Sequence, residues 1–454
     1  MTSANPATGG TLSPARQKYA IGVLLLMYVF AYMDRNVLAL MVDPIKESLQ
    51  ISDVQFSLVH GVAFGAFYAV FGLPMGYIVD RFSKRWVLFW GISIWSAATL
   101  ACGLARSFPT LAFFRFGVGA GEATLVPAAY STISRILPKD RTAMGIAVFS
   151  MGSGIGSAVA IGIGGYLIAK LTKLGGIALP FIGHLEPWQA VFVIIGAPGL
   201  FVALLAFTLP ETGKSAAAEA ETLAPSEPVP LMPFLAENRA YLFFTIGGLA
   251  LITILAYAFA AWMPALLLRQ YGKDVAWVGY VMSAVTLSGL IGFGLSGYFA
   301  DRLFRAGYKD GHVIPILYCV PVIIVLTIVG FHLTGDIWVA VGCYAIIHIL
   351  ATIGNSVGAH VQLATPPSLR GRLAAITVAA QHLCGLALGP LLVALVTDHW
   401  FHDPARVGDS MAIVGTIIGL LAILFYILAR AHARAAITRM EEGYYHTPPI
   451  EAVA

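Results

Sequence analysis

The chain has 454 residues, of which 58% are hydrophobic and 11% are charged, and its formal net charge is +4. This balance, with a mean hydropathy of +0.82, excludes an ordinary soluble domain and indicates a protein with many membrane spans. The modest charge is scattered and gives no indication of nucleic-acid binding. The four cysteines lack paired spacing such as C-x-x-C, so no metal site, disulfide framework or cofactor is expected.

Twelve apolar stretches are long enough to cross a bilayer, because a helix needs about 20 apolar residues to span the roughly 30 Å hydrocarbon layer. Their continuous length excludes a transmembrane β-barrel, whose strands would give alternating segments of about 10 residues. The first stretch is too long for a signal-peptide core, so we expect it to be retained as a helix. The predicted spans are 19–42, 55–79, 84–105, 109–134, 142–171, 188–209, 240–268, 275–300, 312–333, 336–364, 372–398 and 408–431.

The spans divide into two sets of six. A segment rich in Ala, Glu and Pro, without apolar periodicity, separates them and is typical of a flexible linker. We therefore predict an all-α membrane protein with a tail at 1–18, a six-helix bundle at 19–209, a linker at 210–236, a second bundle at 237–431 and a tail at 432–454.

The basic residues predict the orientation. If both termini lie in the cytoplasm, the short inner loops hold eleven Lys and Arg residues and the outer loops hold seven. An even number of spans is consistent with both ends on one side. We expect a multi-pass protein of the cell (inner) membrane, surrounded by membrane lipids, with a cytoplasmic linker and both termini cytoplasmic.

One motif occurs after the second span of each half: G-Y-I-V-D-R-F-S-K-R from Gly76 to Arg85, and G-Y-F-A-D-R-L-F-R from Gly297 to Arg305. Two copies at equivalent places predict a duplicated architecture. Their acids can pair with loop bases or a helix N-terminus of the opposite half only when the inner ends meet. This predicts a cytoplasmic gate that latches the outward-facing state, although the same charges could be merely solvated. The gate residues are Asp80, Arg81, Arg85, Asp301, Arg302, Arg141 and Arg372, with Arg135 as a further partner.

The repeated motif resembles the loop motif of the major facilitator superfamily of secondary transporters. Three further strings, Y-M-D-R at 32–35, F-W-G-I-S-I-W-S-A at 89–97 and R-F-G-V-G-A-G-E-A at 115–123, resemble its spinster branch. The resemblance implies two six-helix bundles around a central cavity, and a substrate such as a sphingolipid or lysophospholipid. The short termini favour a bacterial member, and a monomer is expected.

Four charged residues lie inside apolar spans: Asp34, Arg35, Arg115 and Glu122. A charge at mid-bilayer costs roughly 2.5–3.5 kcal/mol on insertion scales, so a functional site is the default interpretation. Arg115 and Glu122 are seven residues apart and share one stripe of a helix, about 10 Å from each other. Asp34 and Arg35 point about 100° apart, so both cannot face the cavity centre.

The resemblance implies that the first and fourth helices line the cavity, with Asp34 and Glu122 on two sides and Arg115 between them. Which acid pairs with Arg115 is left open. Burial favours the neutral form of a carboxylate and an adjacent Arg favours the charged form. We therefore predict that Asp34 and Glu122 take up protons, while Arg115 competes for them or binds an anionic group. The alternative is a static ion pair between the two helices.

The second half offers a more apolar cavity wall. Its candidate polar residues are His348, Asn355, His360, Gln381 and His382, and Tyr257 and Trp262 are candidate aromatic walls. A cavity charged on one side and apolar on the other suits a molecule with an ionic head and a hydrocarbon tail. The predicted substrate-binding residues are Arg115, Arg35, Tyr32, Tyr257 and Trp262.

These features predict a secondary active transporter of an amphipathic, lipid-like substrate, working by alternating access and coupled to protons at Asp34 and Glu122. A proton-coupled multidrug exporter and a small organic anion transporter are alternatives. A membrane lipid-modifying enzyme or a sensor would be a different class. The sequence offers no catalytic serine motif, metal-ligand cluster or nucleotide loop, so an enzyme is not predicted.

Overall fold

Two sets of six membrane helices make up the computed structural model, which describes residues 13–180, 182–210 and 229–444. The first six helices are Pro14–Asn36; Asp53–Arg81, with a π turn at Leu58–Val62; Lys84–Cys102; Phe108–Glu122 followed by Leu125–Ile136; Lys139–Leu174; and Pro187–Leu204, with a 3₁₀ turn to Thr208. The second six are Arg239–Arg269; Val275–Arg305; Ile314–Ile328, with a π turn to Leu333; Ile337–Ile353 followed by Ser356–Leu363; Arg370–Phe401, with π turns at His382–Leu388 and Thr397–Phe401; and Val407–Glu441. The twelve predicted spans are therefore confirmed.

Eleven helices within the described ranges are long and apolar enough to cross a membrane on their own. The twelfth is the fourth helix, which is interrupted at Ala123 and Thr124 into two shorter segments. The Thr124 hydroxyl donates to the Gly121 carbonyl oxygen at 2.8 Å, and such back-bonding competes with the helical pattern. The fourth helix therefore crosses as two segments joined beside Glu122.

Glycines bring the helices close together. A Cβ atom on Gly121 would lie 2.7 Å from the Trp95 backbone nitrogen, and one on Gly156 would lie 2.5 Å from the Val29 carbonyl oxygen. Only glycine permits such approaches, which pack the fourth helix on the third and the fifth helix on the first.

The two ends of the bundle differ, and we name them by the chain termini. Tyr19, near the start of the first helix, donates to Thr208 at the end of the sixth, and Arg439 in the last helix donates to Asn238 before the seventh. The helices alternate in direction, so we call this the termini end and the opposite side the far end. Short elements at the far end are the helix Val42–Leu49 and an antiparallel hairpin of β1 (Ile177–Leu179) and β2 (Gly183–Leu185), which was not predicted.

The helices extend beyond the predicted boundaries at both chain ends. The first begins at Pro14, inside the predicted tail 1–18, and the last continues to Glu441, inside the predicted tail 432–454. Polar turns extend each helix past the apolar stretch, which hydropathy alone does not detect. Most of the predicted linker, at 211–228, lies outside the described residues. Its last part forms the helix Leu231–Glu237, which buries Phe234.

Candidate functional site

The centre of the candidate site is an ion pair between the first and fourth helices. A terminal nitrogen of Arg35 lies 2.5 Å from a carboxylate oxygen of Glu122, and both side chains are buried. Arg35 lies one residue before the end of the first helix, and Glu122 is the last residue before the interruption of the fourth. Helix breaks within a membrane are common at transport sites, because they free backbone groups for ligands.

Asp34 points away from this pair. Its carboxylate accepts a hydrogen bond of 3.0 Å from the Thr99 hydroxyl of the third helix and is 2% exposed. The divergence of Asp34 and Arg35 agrees with the angle predicted from their adjacent positions. Thr99 was not among the predicted site residues, and because Ser93 and Ser96 lie in the same span, its hydroxyl did not single it out.

Arg115 donates a hydrogen bond to neither Asp34 nor Glu122. The sequence had left open which of these acids pairs with it. Its side chain is fully buried, and none of its three guanidinium nitrogens has a hydrogen-bond partner among the described residues. The second carboxylate oxygen of Glu122 also lacks a partner there. The guanidinium carbon of Arg115 lies 5.6 Å from the centre of the Phe64 ring. Such unpaired polar groups are costly, so the arrangement is suited to receiving an anion.

Aromatic rings surround the Arg35 guanidinium. Its central carbon lies 4.6 Å from the Tyr32 ring centre, 4.4 Å from that of Phe64 and 5.6 Å from that of Tyr68. Cation–π attraction of this kind contributes about 0.5–2 kcal/mol and orients the group. Sequence reasoning missed Phe64 and Tyr68, although their spacing of four residues puts both on one face of the second helix.

Uncharged side chains of the second half lie next to the Arg35–Glu122 ion pair. Tyr257 of the seventh helix interacts with Arg35, and the His382 ring stacks on Tyr68 with 4.7 Å between ring centres. His382 also lies 3.0 Å from the Val378 carbonyl oxygen, one turn earlier in the chain. Charges from the first half therefore face an aromatic wall from the second.

Trp262 lies elsewhere. It is 1% exposed, donates its indole N–H to the Pro390 carbonyl oxygen at 2.9 Å, and packs near Phe56 of the other half. This predicted substrate-binding residue therefore sits in the contact between the halves and presents no open surface in this conformation. The spacing of residues predicts which face of the helix Trp262 occupies but not how deeply its side chain is buried.

A far-end ion cluster joins the two halves. Arg269 at the end of the seventh helix lies 2.6 Å from Asp43 and 2.8 Å from Asp53, and Lys46 also contacts Asp53. The Asp53 side chain is fully buried and that of Arg269 is 8% exposed. In the sequence, Lys46 and Arg269 were counted only as basic residues of the outer loops, and Asp43 and Asp53 were not singled out. Nothing in their spacing reveals the pairing, because Asp53 and Arg269 are far apart along the chain.

Further contacts close the same end. The Val54 amide donates to Asp398 at 2.8 Å, and the Ser57 hydroxyl donates to the Pro390 carbonyl oxygen at 3.2 Å. A Cβ on Gly165 of the fifth helix would lie 2.9 Å from Gly279 of the eighth, so these two helices touch. The far end is therefore sealed between the halves.

The predicted gate residues lie at the termini end. The Asp301 side chain is 64% exposed, and its carboxylate lies 3.9 Å from His312 Nε2 of its own half. Burial lowers the pKa of His312 and Asp301 offsets part of that effect, so this contact is not a strong ion pair near neutral pH. Arg302 donates to Tyr298 at 3.0 Å, and Arg85 to the Leu209 carbonyl oxygen at 2.7 Å.

The remaining gate residues lie at the same end of the bundle. Arg81 lies over the Tyr77 ring at 4.1 Å, while Arg141 and Arg372 are exposed and Arg135 is half-buried. The Asp80 side chain lies outside the described part of the structure. Because the gate is predicted for the opposite conformation, it stays a prediction.

Comparison with known proteins gives related transporters over most of the chain. An MFS-type efflux pump of Mycolicibacterium smegmatis is 25% identical over 93% of this chain and 95% of its own. A D-galactonate transporter of Escherichia coli is 25% identical over 90% of this chain and 96% of its own.

A solved structure shows the same fold. It is a bacterial homologue of the human lysosomal transporter Spinster, in an inward-facing and unoccupied conformation, with a TM-score of 0.73 at 22% identity. The match covers 96% of this chain and all of the other. The profile of the Major Facilitator Superfamily matches residues 24–387. This chain, with its twelve helices in two halves around a buried charged site, belongs to the major facilitator superfamily of multi-pass membrane transporters.

Proposed function

We propose that this transporter moves an amphipathic organic anion with a lipid-like body, of the sphingolipid or lysolipid class. The observation that carries the proposal is the buried Arg115 guanidinium without a hydrogen-bond partner among the described residues. A phosphate or carboxylate head would supply those acceptors in the planar geometry that Arg favours.

The aromatic surroundings support an apolar body for the substrate. Phe64, Tyr68 and Tyr257 lie against the Arg35 guanidinium, and Phe64 also lies near that of Arg115. A sugar-like molecule would need hydrogen-bond partners for each hydroxyl, because polar groups left unpaired on burial are costly. A hydrocarbon tail has no such requirement.

Proton coupling is assigned to Asp34 and Glu122. Asp34 has one hydroxyl donor in a buried site, and Glu122 shares Arg35 with any anion that enters. When a substrate anion attracts Arg35, the freed Glu122 carboxylate is stabilised by taking up a proton. Substrate binding and protonation would thereby favour each other.

Alternating access follows from the two ends of the bundle. The basic loops favour both termini on the cytoplasmic side of the inner membrane. The far end is then the outer end. Its ion cluster then closes the route to the outside, and the repeated gate motif at Asp80 and Asp301 would close the inner route after the halves rock.

Reconstituted protein tests the proposal. A single-chain anionic phospholipid should raise the melting temperature of purified protein, since ligand at a hundredfold excess over Kd adds about 2.7 kcal/mol of stability. Arg115→Gln should abolish this stabilisation, whereas Arg302→Gln, at the exposed termini end, should retain it. Stabilisation by galactonate alone would contradict the lipid substrate.

Small organic anions are the second candidate. The D-galactonate transporter is similar over nearly the whole chain, and D-galactonate carries a carboxylate. The same arginines would bind that carboxylate. Flux of labelled galactonate into proteoliposomes, with no flux of lysolipid, would favour this function. Because one relative is an efflux pump, drug export is a third candidate function. The same flux assay tests it.

A further inference from the structure

A groove with a cavity volume of about 360 Å³ lies in the second half at the far end, away from the charged centre. It runs between the end of the ninth helix and the outer part of the twelfth. The apolar side chains that form most of its wall are Ile328, Ala412, Ile413 and Ile417, and Thr416 lies among them. Ile417 is 54% exposed, so the groove is open on its outer side, where lipid surrounds the helices.

Three polar side chains form the mouth of the groove. The Asp409 carboxylate lies 2.6 Å from His332 Nδ1 and 2.6 Å from Arg406 Nε. Arg406 is half-exposed, with its guanidinium carbon 4.2 Å from the centre of the Phe401 ring. Within the described structure its terminal nitrogens make no further hydrogen bond, so they remain free to bind an anion.

The length of the groove matches one leaflet of a bilayer. Arg406 and Ile417 are eleven positions apart on the last helix, which at 1.5 Å per residue is about 16 Å. Half of the roughly 30 Å hydrocarbon layer is about 15 Å. The polar mouth therefore lies at headgroup level and the apolar wall at the depth of an acyl chain. The exposed Trp400 ring beside the mouth is typical of the interface.

We propose that this groove binds a zwitterionic phospholipid with a primary ammonium headgroup, of the phosphatidylethanolamine type. One acyl chain fills the groove, the phosphate accepts from the terminal nitrogens of Arg406, and the ammonium donates to Asp409. Arg406 and Asp409 present one charge of each sign, which complements the headgroup. An anionic lipid would place its phosphate beside the Asp409 carboxylate with no ammonium to offset it. The site is independent of the transported substrate.

Native mass spectrometry of the full chain tests the proposal, with phosphatidylethanolamine, phosphatidylcholine and phosphatidylglycerol supplied in equal amounts. We expect retained phosphatidylethanolamine to exceed phosphatidylglycerol by about tenfold. Thr416→Trp, which fills the groove, should reduce this retention about tenfold. Leu420→Trp, at an exposed position one turn further along the same helix, is the matched control and should leave retention unchanged.

Headgroup recognition is tested separately by Asp409→Asn, which keeps the groove and Arg406 but removes the carboxylate that accepts from the ammonium. This variant should retain phosphatidylethanolamine and phosphatidylglycerol equally, and it provides an independent test if the tryptophan variant does not fold. Equal or stronger retention of phosphatidylglycerol by the unmodified chain would overturn the proposal. So would equal losses in the two tryptophan variants.

Discussion

The fourth and tenth helices occupy equivalent places in the two halves, and they differ in chemistry but not in shape. Each is interrupted for two residues, at Ala123 and Thr124 in one and at Gly354 and Asn355 in the other. Arg115 and Glu122 precede the first interruption. The positions at the same distances before the second are Ile346 and Ile353.

This comparison separates what duplication preserves from what function requires. The interruption depends on small and polar residues that bond to nearby carbonyl oxygens, and both helices have them: Thr124 bonds to Gly121, and Asn355 to Thr352 at 2.8 Å. The charges belong to one half only. The interruption is therefore common to both halves, whereas the ionisable residues of the candidate site come from the first half.

The largest effect is expected at the far end, where Arg269 of the second half joins the ion cluster of the first half. Arg269→Gln leaves the buried Asp53 with Lys46 alone, and breaking a buried pair costs about 3 kcal/mol or more. We expect the far end to open in most molecules, as measured by spin-label distances across it. Lys273→Gln, whose ammonium only lies over Trp277, is the control. Unchanged distances in the Arg269 variant would show that the cluster does not hold the end closed.

Arg115→Gln should have the next largest effect, and it tests whether the charges of the first half are functional. Losing charge-assisted bonds to the substrate costs about 1.5–3 kcal/mol, which corresponds to a 10–100-fold loss of transport. Ile346→Gln places the same side chain at the matching position of the tenth helix and should leave transport near the original rate. Uptake into proteoliposomes measures both. Similar losses in the two variants would remove the distinction between the halves.

Asp34→Asn combined with Glu122→Gln should remove the response of transport to a pH gradient. The two amides cannot take up protons, so any remaining flux should be independent of pH. Gln381→Glu, which adds an acid to the second half, serves as a control for a merely altered charge. If the double variant keeps the original rate and pH response, the proton role is wrong.

The smallest effect concerns the glycines of the two helices. A Cβ on Gly121 would clash with the Trp95 backbone, whereas one on Gly358 of the tenth helix would meet nothing within 4 Å. Gly121→Ala should therefore lower the melting temperature. Gly358→Ala should raise the free energy of unfolding by about 0.5–1 kcal/mol. A melting temperature of Gly121→Ala equal to that of the original chain would argue against tight packing of the third and fourth helices.

Part of the site was predictable from local patterns. The four buried charges stand out against apolar spans, and the divergence of Asp34 and Arg35 follows from helix geometry. The partner of Glu122 was not predictable, because choosing between Arg35 and Arg115 depends on how two helices are rotated against each other. The burial of Trp262 was not predictable for a similar reason, because the contact that buries it comes from a different helix.

The amino-acid sequence by itself determined the number of membrane helices, their division into two related halves and the four ionisable residues at the centre. These follow from hydropathy, length and repeated motifs, all of which act over a few turns of helix. The tertiary structure alone decided that Arg35 binds Glu122, that the Arg115 guanidinium has no hydrogen-bond partner among the described residues, and that Arg269 joins the two halves. Each depends on distances between residues remote in the chain, which only the packed helices establish.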